Sequence, residues 1–345
     1  MQDPKINLLD TATANKIAAG EVIDRPASII KELIENSIDA KGTNIIVEIK
    51  DGGISEINIR DNGIGIPLDE IELAFKRHAT SKIIKADDLY GIKTYGFRGE
   101  ALPSIAAISK VSILTKVRGS KVGTRYVIEG GKEVLMEEIA CSEGTQITVR
   151  DIFYNVPPRK KHLKTPAKEA AYIAQVVTSM ALGNPQIQIK YYHNSKLVAQ
   201  SAGSGELSDS IIALMGVDFF KALLPVDYKN ADGLKAKGYI SKPQFNRASR
   251  SNQYMFVNNR WIYSQLINKL IANAYSTLIP SNRYPIIILN FTTPFDTVDV
   301  NVHPTKREIR FDNEHLVEKF ISEALYKTIN TKKSVAATST IKLRL

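Results

Sequence analysis

The chain has 345 residues, 43% of them hydrophobic and 24% charged, with 46 Lys and Arg against 36 Asp and Glu for a formal net charge of +10. That suits two compact domains and excludes disorder, collagen-like repeats and coiled-coil arrays. A lone cysteine, Cys141, excludes a disulfide framework and a cysteine-built zinc site, and no apolar run is long enough to span a bilayer.

The elements follow in chain order. Ala27–Asp39 reads as a helix, with Ile30, Leu33, Ile34 and Ser37 stacked at helical spacing and Glu32, Asn36 and Asp39 on the other side. Two alternating runs, Asn44–Lys50 and Ile54–Asp61, joined by Asp51-Gly52-Gly53, read as a hairpin. A glycine-rich stretch from Asp61 to Glu100 flanks a helix expected at Asp69–Arg77 and has the make-up of a hinged lid. Strands resume at Val111–Lys116, Gly123–Glu129 and Gln146–Asp151. A turn at Asn155–Pro158 then leads to the basic run Arg159-Lys160-Lys161, a helix over Ala167–Ala181 and a strand near Ile187–Tyr192. Gly203-Ser204-Gly205 reads as a linker. Beyond it, helices (Ser208–Met215, Gln265–Leu278, Glu314–Asn330) mix with strands (Lys235–Ile240, Tyr254–Val257, Pro285–Phe291, Val298–Val302). The expected division is therefore an α+β domain over 1–203, a second over 204–330, and a tail or start of a linker over 331–345.

Charge is unevenly spread. Residues 1–150 carry a net of −2 and residues 151–345 a net of +12, so a polyanion would meet the second half, unless that surface is simply basic and solvated. Arg159, Lys160 and Lys161, with Lys242, Arg247 and Arg250 in the polar loop before Tyr254, are the candidate phosphate contacts.

Common catalytic motifs are absent: no Walker-type phosphate loop, no dinucleotide fingerprint, no zinc-protease or serine-hydrolase signature, and no metal spacing among the five histidines. Four short segments remain. Glu32 and Asn36, one helical turn apart, are either a solvated face or a general base beside a Mg²⁺ ligand. Asp61-Asn62-Gly63-Ile64-Gly65 is either a tight turn or a strand-end carboxylate poised for a purine amino group, with glycines that let a flat ligand approach. Gly96-Phe97-Arg98-Gly99-Glu100 precedes a helical stretch, as a plain cap or as a phosphate cradle. Gly144-Thr145 opens a strand and is uninformative alone.

In this order the four segments resemble the Bergerat (GHKL) ATP-binding fold of gyrase-type topoisomerases, the Hsp90 chaperone, histidine kinases and MutL. The longer runs Ile17–Pro26, Arg77–Lys82, Gly96–Ala101 and Asn301–Lys306 are similar to the MutL family of mismatch-repair proteins in particular, and the similarity covers most of the chain. It implies a Bergerat α/β sandwich followed by a smaller ribosomal-S5-like α/β transducer domain, using ATP and Mg²⁺. Glu32 would be the base that activates water, Asn36 the metal ligand and Asp61 the partner of the adenine amino group. Asp39, Gly65 and Thr145 would line the nucleotide, and Thr80, Ser81 and Lys82 would close over the phosphates with Gly96, Phe97, Arg98, Gly99 and Glu100. Lys306, otherwise one more exposed lysine, would reach the γ-phosphate from the second domain. The resemblance further implies DNA and a MutS-type mismatch-recognition protein as partners, homodimerisation on ATP binding, and a cytoplasmic, nucleoid-associated bacterial protein without a membrane role. Two stretches depart from the family wording: Pro157-Pro158-Arg159-Lys160-Lys161-His162 where Pro-Ala-Arg-x-Lys-Phe is usual, and Asn259 where Gly is usual. Nothing matches the family's C-terminal endonuclease, so no nuclease site is expected in this chain.

Overall fold

A computed structural model describes residues 9–83, 85, 94–96, 98–299 and 309–341; Phe97 and Lys306 lie outside the described residues. The chain divides into two compact units, with the change at Ser204/Gly205 and residues 182–185 grouped with the second.

The first unit holds α1 (Thr11–Val22), α2 (Pro26–Asp39), β1 (Asn44–Lys50), β2 (Glu56–Asp61), α3 (Ile71–Ala74), α4 (Ala101–Ile108), β3 (Lys110–Lys116), β4 (Gly123–Glu129), β5 (Lys132–Ile139), β6 (Gly144–Arg150), α5 (Pro157–His162), most of α6 (Pro166–Gly183), β7 (Gln188–His193) and β8 (Lys196–Gln200). The eight strands form one sheet in the order β5-β4-β3-β6-β2-β1-β7-β8. Every pairing is antiparallel except β1 with β7. The hairpin between β1 and β2 turns through Asp51, Gly52 and Gly53, all at positive φ, where a Cβ on Gly52 would run into the Pro166 carbonyl.

Side chains alternate along the inner strands, so that one face of the sheet is largely apolar. Ile45, Val47 and Ile49, Ile57 and Ile59, Val111 and Ile113, and Ile147 and Val149 are all buried there. Ile29, Ile30, Leu33 and Ile34 of α2, Ile105 and Ile108 of α4, and Ile173, Val177 and Met180 of α6 complete this core. At about 25 cal/mol per Å² of apolar surface removed from water, burial of this layer is the main term holding helices to sheet.

The second unit adds α7 (Leu207–Met215), α8 (Val217–Lys221), β9 (Leu223–Lys229), β10 (Lys235–Ser241), β11 (Asn246–Arg247), β12 (Gln253–Val257), β13 (Arg260–Ile262), α9 (Gln265–Tyr275), β14 (Tyr284–Pro285), β15 (Ile287–Thr292), β16 (Val298–Asp299), β17 (Arg310–Phe311) and α10 (Glu314–Ile341). Its main sheet runs β13-β12-β15-β10-β9, with β12 and β15 parallel. Ile267, Ile271 and Tyr275 of α9 and Phe320, Ile321 and Leu325 of α10 pack with Leu224, Ala236, Ile240 and Leu289 in one core. The Tyr275 hydroxyl donates to the Ser241 carbonyl at 2.7 Å, which satisfies the one polar atom that the ring carries inward.

Several elements differ from expectation. The helix expected at Asp69–Arg77 shrinks to a 3₁₀ turn and the four residues of α3. The basic run becomes the short helix α5, started by Pro157 and Pro158, whose missing N–H groups cost nothing in a first turn. The tail expected from residue 331 continues α10 to Ile341, through good helix formers such as Lys332, Lys333, Ala336 and Ala337. Among the described residues no helix is long and apolar enough to cross a membrane.

Candidate active site

Strand register assembles one end of the site. Asp61 of β2 pairs with Thr145 of β6, and Thr145 pairs with Thr115 of β3, so three polar residues form one row across the sheet. Each continues the phase of buried aliphatic residues on its own strand, and each is itself buried. Asp61 accepts from the Ser37 hydroxyl at 2.7 Å and from the Gly63 N–H at 2.9 Å. Burial raises its carboxyl above the usual 3.8, and those two hydrogen bonds pull the other way. The Thr115 and Thr145 hydroxyls are 3.2 Å apart, and the Ile66 N–H donates to Thr115 Oγ1 at 2.8 Å. Gly65, at φ 76°, follows the backbone past strand β3, where a Cβ would meet the Lys116 carbonyl.

The second part of the site lies along α2. Pro26 opens this helix, and its apolar stripe is buried against the sheet. Ser37 lies in that stripe, so its bond to Asp61 ties the helix to β2 at one rotation about its axis. One residue earlier, Asn36 Oδ1 accepts from Lys82 Nζ at 3.1 Å. The same ammonium lies 2.6 Å from Asp39 Oδ2, and Asp39 also accepts from the Tyr95 and Gly96 N–H groups, each at 3.1 Å. Lys82 N–H in turn donates to Thr80 Oγ1 at 3.2 Å, while Ser81 is exposed. Gly99, at φ 62°, accepts through its carbonyl from the His78 N–H at 3.2 Å. Glu100 lies 3.8 Å from His78 Nδ1 and precedes α4 without a side-chain cap. Arg98 is half-buried. The two stretches singled out as lid thus meet each other and α2.

One turn before Asn36, Glu32 is not on a solvated face. It is 8% exposed, Glu35 is 1% exposed, and Lys31, 8% exposed, reaches both: its Nζ lies 2.8 Å from Glu35 Oε1 and 3.3 Å from Glu32 Oε1. Sequence reasoning passed over Lys31, Glu35 and Thr115 and counted Ser37 only as part of the helix stripe. The legible signal for the first pair was Lys and Glu at i and i+4.

The basic residues differ in environment. Lys160 and Lys161 are exposed. Arg159 turns to α1, donating from Nη1 to the Gly20 carbonyl at 2.8 Å and to the Ile23 carbonyl at 3.3 Å. In the second unit Lys242 Nζ donates to the Lys221 carbonyl at 2.8 Å, while the exposed guanidinium groups of Arg247 and Arg250 lie over the rings of Phe219 and Tyr284 at 5.7 and 5.0 Å. A cavity of about 290 Å³ in that unit, lined by Arg250, Asn268, Tyr275 and Tyr284 among others, holds none of the residues named along α2 and β2. Among the described residues no cluster of three or more His, Cys, Asp or Glu could hold a metal ion. A carbonyl-type oxygen such as Asn36 Oδ1, beside a bound triphosphate, remains the kind of single ligand that Mg²⁺ accepts.

Known proteins resemble this chain over most of its length. Residues 24–141 match the family model described as histidine kinase-, DNA gyrase B-, and HSP90-like ATPase, and residues 211–330 match that of the DNA mismatch repair protein, C-terminal domain. The chain is 44% identical over 332 residues to the DNA mismatch repair protein MutL of Agathobacter rectalis, covering 96% of this chain and 51% of that protein. It is 45% identical over 320 residues to MutL of Symbiobacterium thermophilum, covering 93% and 50%. The chain thus spans about half the length of these relatives. Among solved structures, the N-terminal domain of a DNA repair protein superposes with a TM-score of 0.81 at 28% identity, covering 93% of this chain and 98% of that one. The Aquifex aeolicus MutL ATPase domain complexed with ADP superposes at 0.62 and 22% identity, covering 88% and 98%.

Proposed function

The chain belongs to the MutL family of DNA mismatch-repair proteins and carries that family's Bergerat-type ATPase domain, and from this premise we propose that it hydrolyses ATP and uses the nucleotide state to switch its assembly during repair. The observation that carries the reading is the Ser37–Asp61 hydrogen bond. It fixes the rotation of α2 against β2, so that the metal ligand and then the base follow along the helix from the end at which Ser37 meets the adenine partner Asp61. With about 1.5 Å of rise per residue, Asn36 and Glu32 stand about 6 Å apart along the axis and on the same side.

In this reading ionised Asp61 accepts from the adenine amino group, with Thr145 beside it and Gly65 giving the ring close access. Asn36 Oδ1 already points at a cation, the Lys82 ammonium. That fits Mg²⁺, which would neutralise phosphate charge when bound. Asp39 holds Lys82 and the Gly96 N–H, so Thr80, Ser81, Lys82, Gly96, Phe97, Arg98, Gly99 and Glu100 make the phosphate lid, Phe97 and Lys306 being assigned from the sequence alone. Glu32 orients a water and takes its proton as the γ-phosphoryl group leaves. Such transfer asks for positioning and charge more than for covalent chemistry. Lys306 near the terminal phosphate would distinguish ATP from ADP by charge.

The test separates binding from chemistry. Glu32→Ala should retain ATP binding within a few-fold while phosphate release falls by about a hundredfold or more. Loss of binding together with release, or an unchanged rate, overturns the assignment.

The wider proposals rest on the family. ATP closes the N-terminal regions into a homodimer, the exposed Lys160, Lys161, Arg247 and Arg250 together with Lys242 contact DNA phosphates, and a MutS-type protein supplies the mismatch signal. A cytoplasmic, nucleoid-associated setting accords with these partners.

A further inference from the structure

Lys31 is a buried cation beside the proposed base, and it serves two carboxylates at once. Its Nζ is 2.8 Å from Glu35 Oε1 and 3.3 Å from Glu32 Oε1, and the three side chains are 10%, 2% and 10% exposed in the order Lys31, Glu35, Glu32. Neighbours i and i+1 on a helix do not face each other, so the Lys31 stem has to bend back to reach Glu32. The pair with Glu35, four residues on, would be electrically complete without Glu32. With Glu32 the same ammonium serves a second carboxylate. Among the described residues Glu35 Oε2 has no hydrogen-bond partner, so the Lys31 ammonium on Oε1 is the contact that offsets burial of this carboxylate.

We infer that Lys31 is a positioning residue for Glu32: anchored on Glu35, its ammonium fixes one oxygen of the Glu32 carboxylate and thereby the plane in which the other meets the attacking water. The inference rests on Glu32 being the base. Lys31 touches no reacting atom in this scheme. Its effect is on orientation, where a displacement of about 1 Å costs on the order of a hundredfold in rate. The anchor must be a carboxylate, because a lysine held by Glu32 alone would follow that group's rotations instead of restricting them.

The experiment compares single-turnover hydrolysis and direct binding of an ATP analogue for the parent chain, Lys31→Met, Glu32→Ala and the double variant. Lys31→Met should slow hydrolysis by about ten- to a hundredfold while analogue affinity stays within about twofold. In the Glu32→Ala background the same change should cost nothing further, because the group it positions is gone. An equal fold-loss in both backgrounds, or affinity falling in step with rate, overturns the inference. If Lys31→Met fails to fold because Glu35 is left buried and unpaired, Lys31→Met/Glu35→Gln is compared with Glu35→Gln. Both should be slow to the same extent, because Glu35→Gln already removes the anchor; a parent-like rate in Glu35→Gln, or a further slowing in the double variant, overturns the inference. Wild-type turnover in Glu32→Ala removes the base reading itself, whereas a slow Glu32→Ala beside a normal Lys31 variant removes only this step.

Discussion

Asp61 occupies a strand position that its own sequence neighbours assign to an aliphatic side chain, in phase with Ile57 and Ile59. A carboxylate in that register lowers stability, since burial raises its pKa from 3.8 and the Ser37 and Gly63 donors only partly offset this. The folded-state value lies above the unfolded one. The stabilisation from holding that proton is therefore complete below the unfolded pKa and is lost as pH rises through the folded value. Asp61→Asn should accordingly melt above the parent at neutral pH, by about 2 to 4 °C for each kcal/mol recovered. The gap should close as pH falls into the carboxylate range, and thermal melts across that range check it. The same variant should lose ATP affinity by at least about tenfold, as a charged acceptor becomes an amide. A lower melting temperature at neutral pH would instead make Asp61 a structural partner of Ser37.

At the scale of elements, Arg159 has taken up work inside the first unit. The Asp10 side chain accepts from the Thr13 N–H at the start of α1, Arg77 Nη2 donates to the Asn15 carbonyl at 3.3 Å, and Arg159 holds the last turn. Arg159→Ala should cost about 1 to 3 kcal/mol and speed amide exchange in α1 more than in α2. If it also leaves the salt dependence of DNA binding unaltered while Lys160→Ala flattens it, the phosphate contact is Lys160 and not Arg159. These contacts explain what the sequence left hidden. Helix α2 and the β1–β2 hairpin were readable because a 3.6-residue stripe and a glycine turn are local signals. Helix α1, from Thr11 to Val22, is rich in small and polar residues and depends on arginines far away in the chain. Strands β5 and β8 bury almost nothing, so neither alternates in hydropathy, and a sheet edge leaves no periodic trace. The site divided in the same way. Glu32, Asn36, Asp61 and the lid were legible as motifs, whereas Lys31, Ser37 and Thr115 gained meaning only from neighbours that register and rotation brought to them.

For the whole molecule, the proposed switch is a change of assembly. Light scattering with a non-hydrolysable ATP analogue should show the apparent mass doubling, and Asn36→Ala, lacking the proposed metal ligand, should stay at the mass of the free chain. A dimer that forms equally without nucleotide would detach association from the ATP site. Sheet order carries a separate consequence for synthesis. The interior strand β1 finishes at Lys50, yet its parallel neighbour β7 begins at Gln188. At roughly 5 to 20 residues per second, a ribosome needs about 7 to 28 s between the two. For that interval the emerging polypeptide presents Asn44–Lys50 as an open template for any passing strand, and a nascent chain halted before Gln188 becomes a natural client for chaperones.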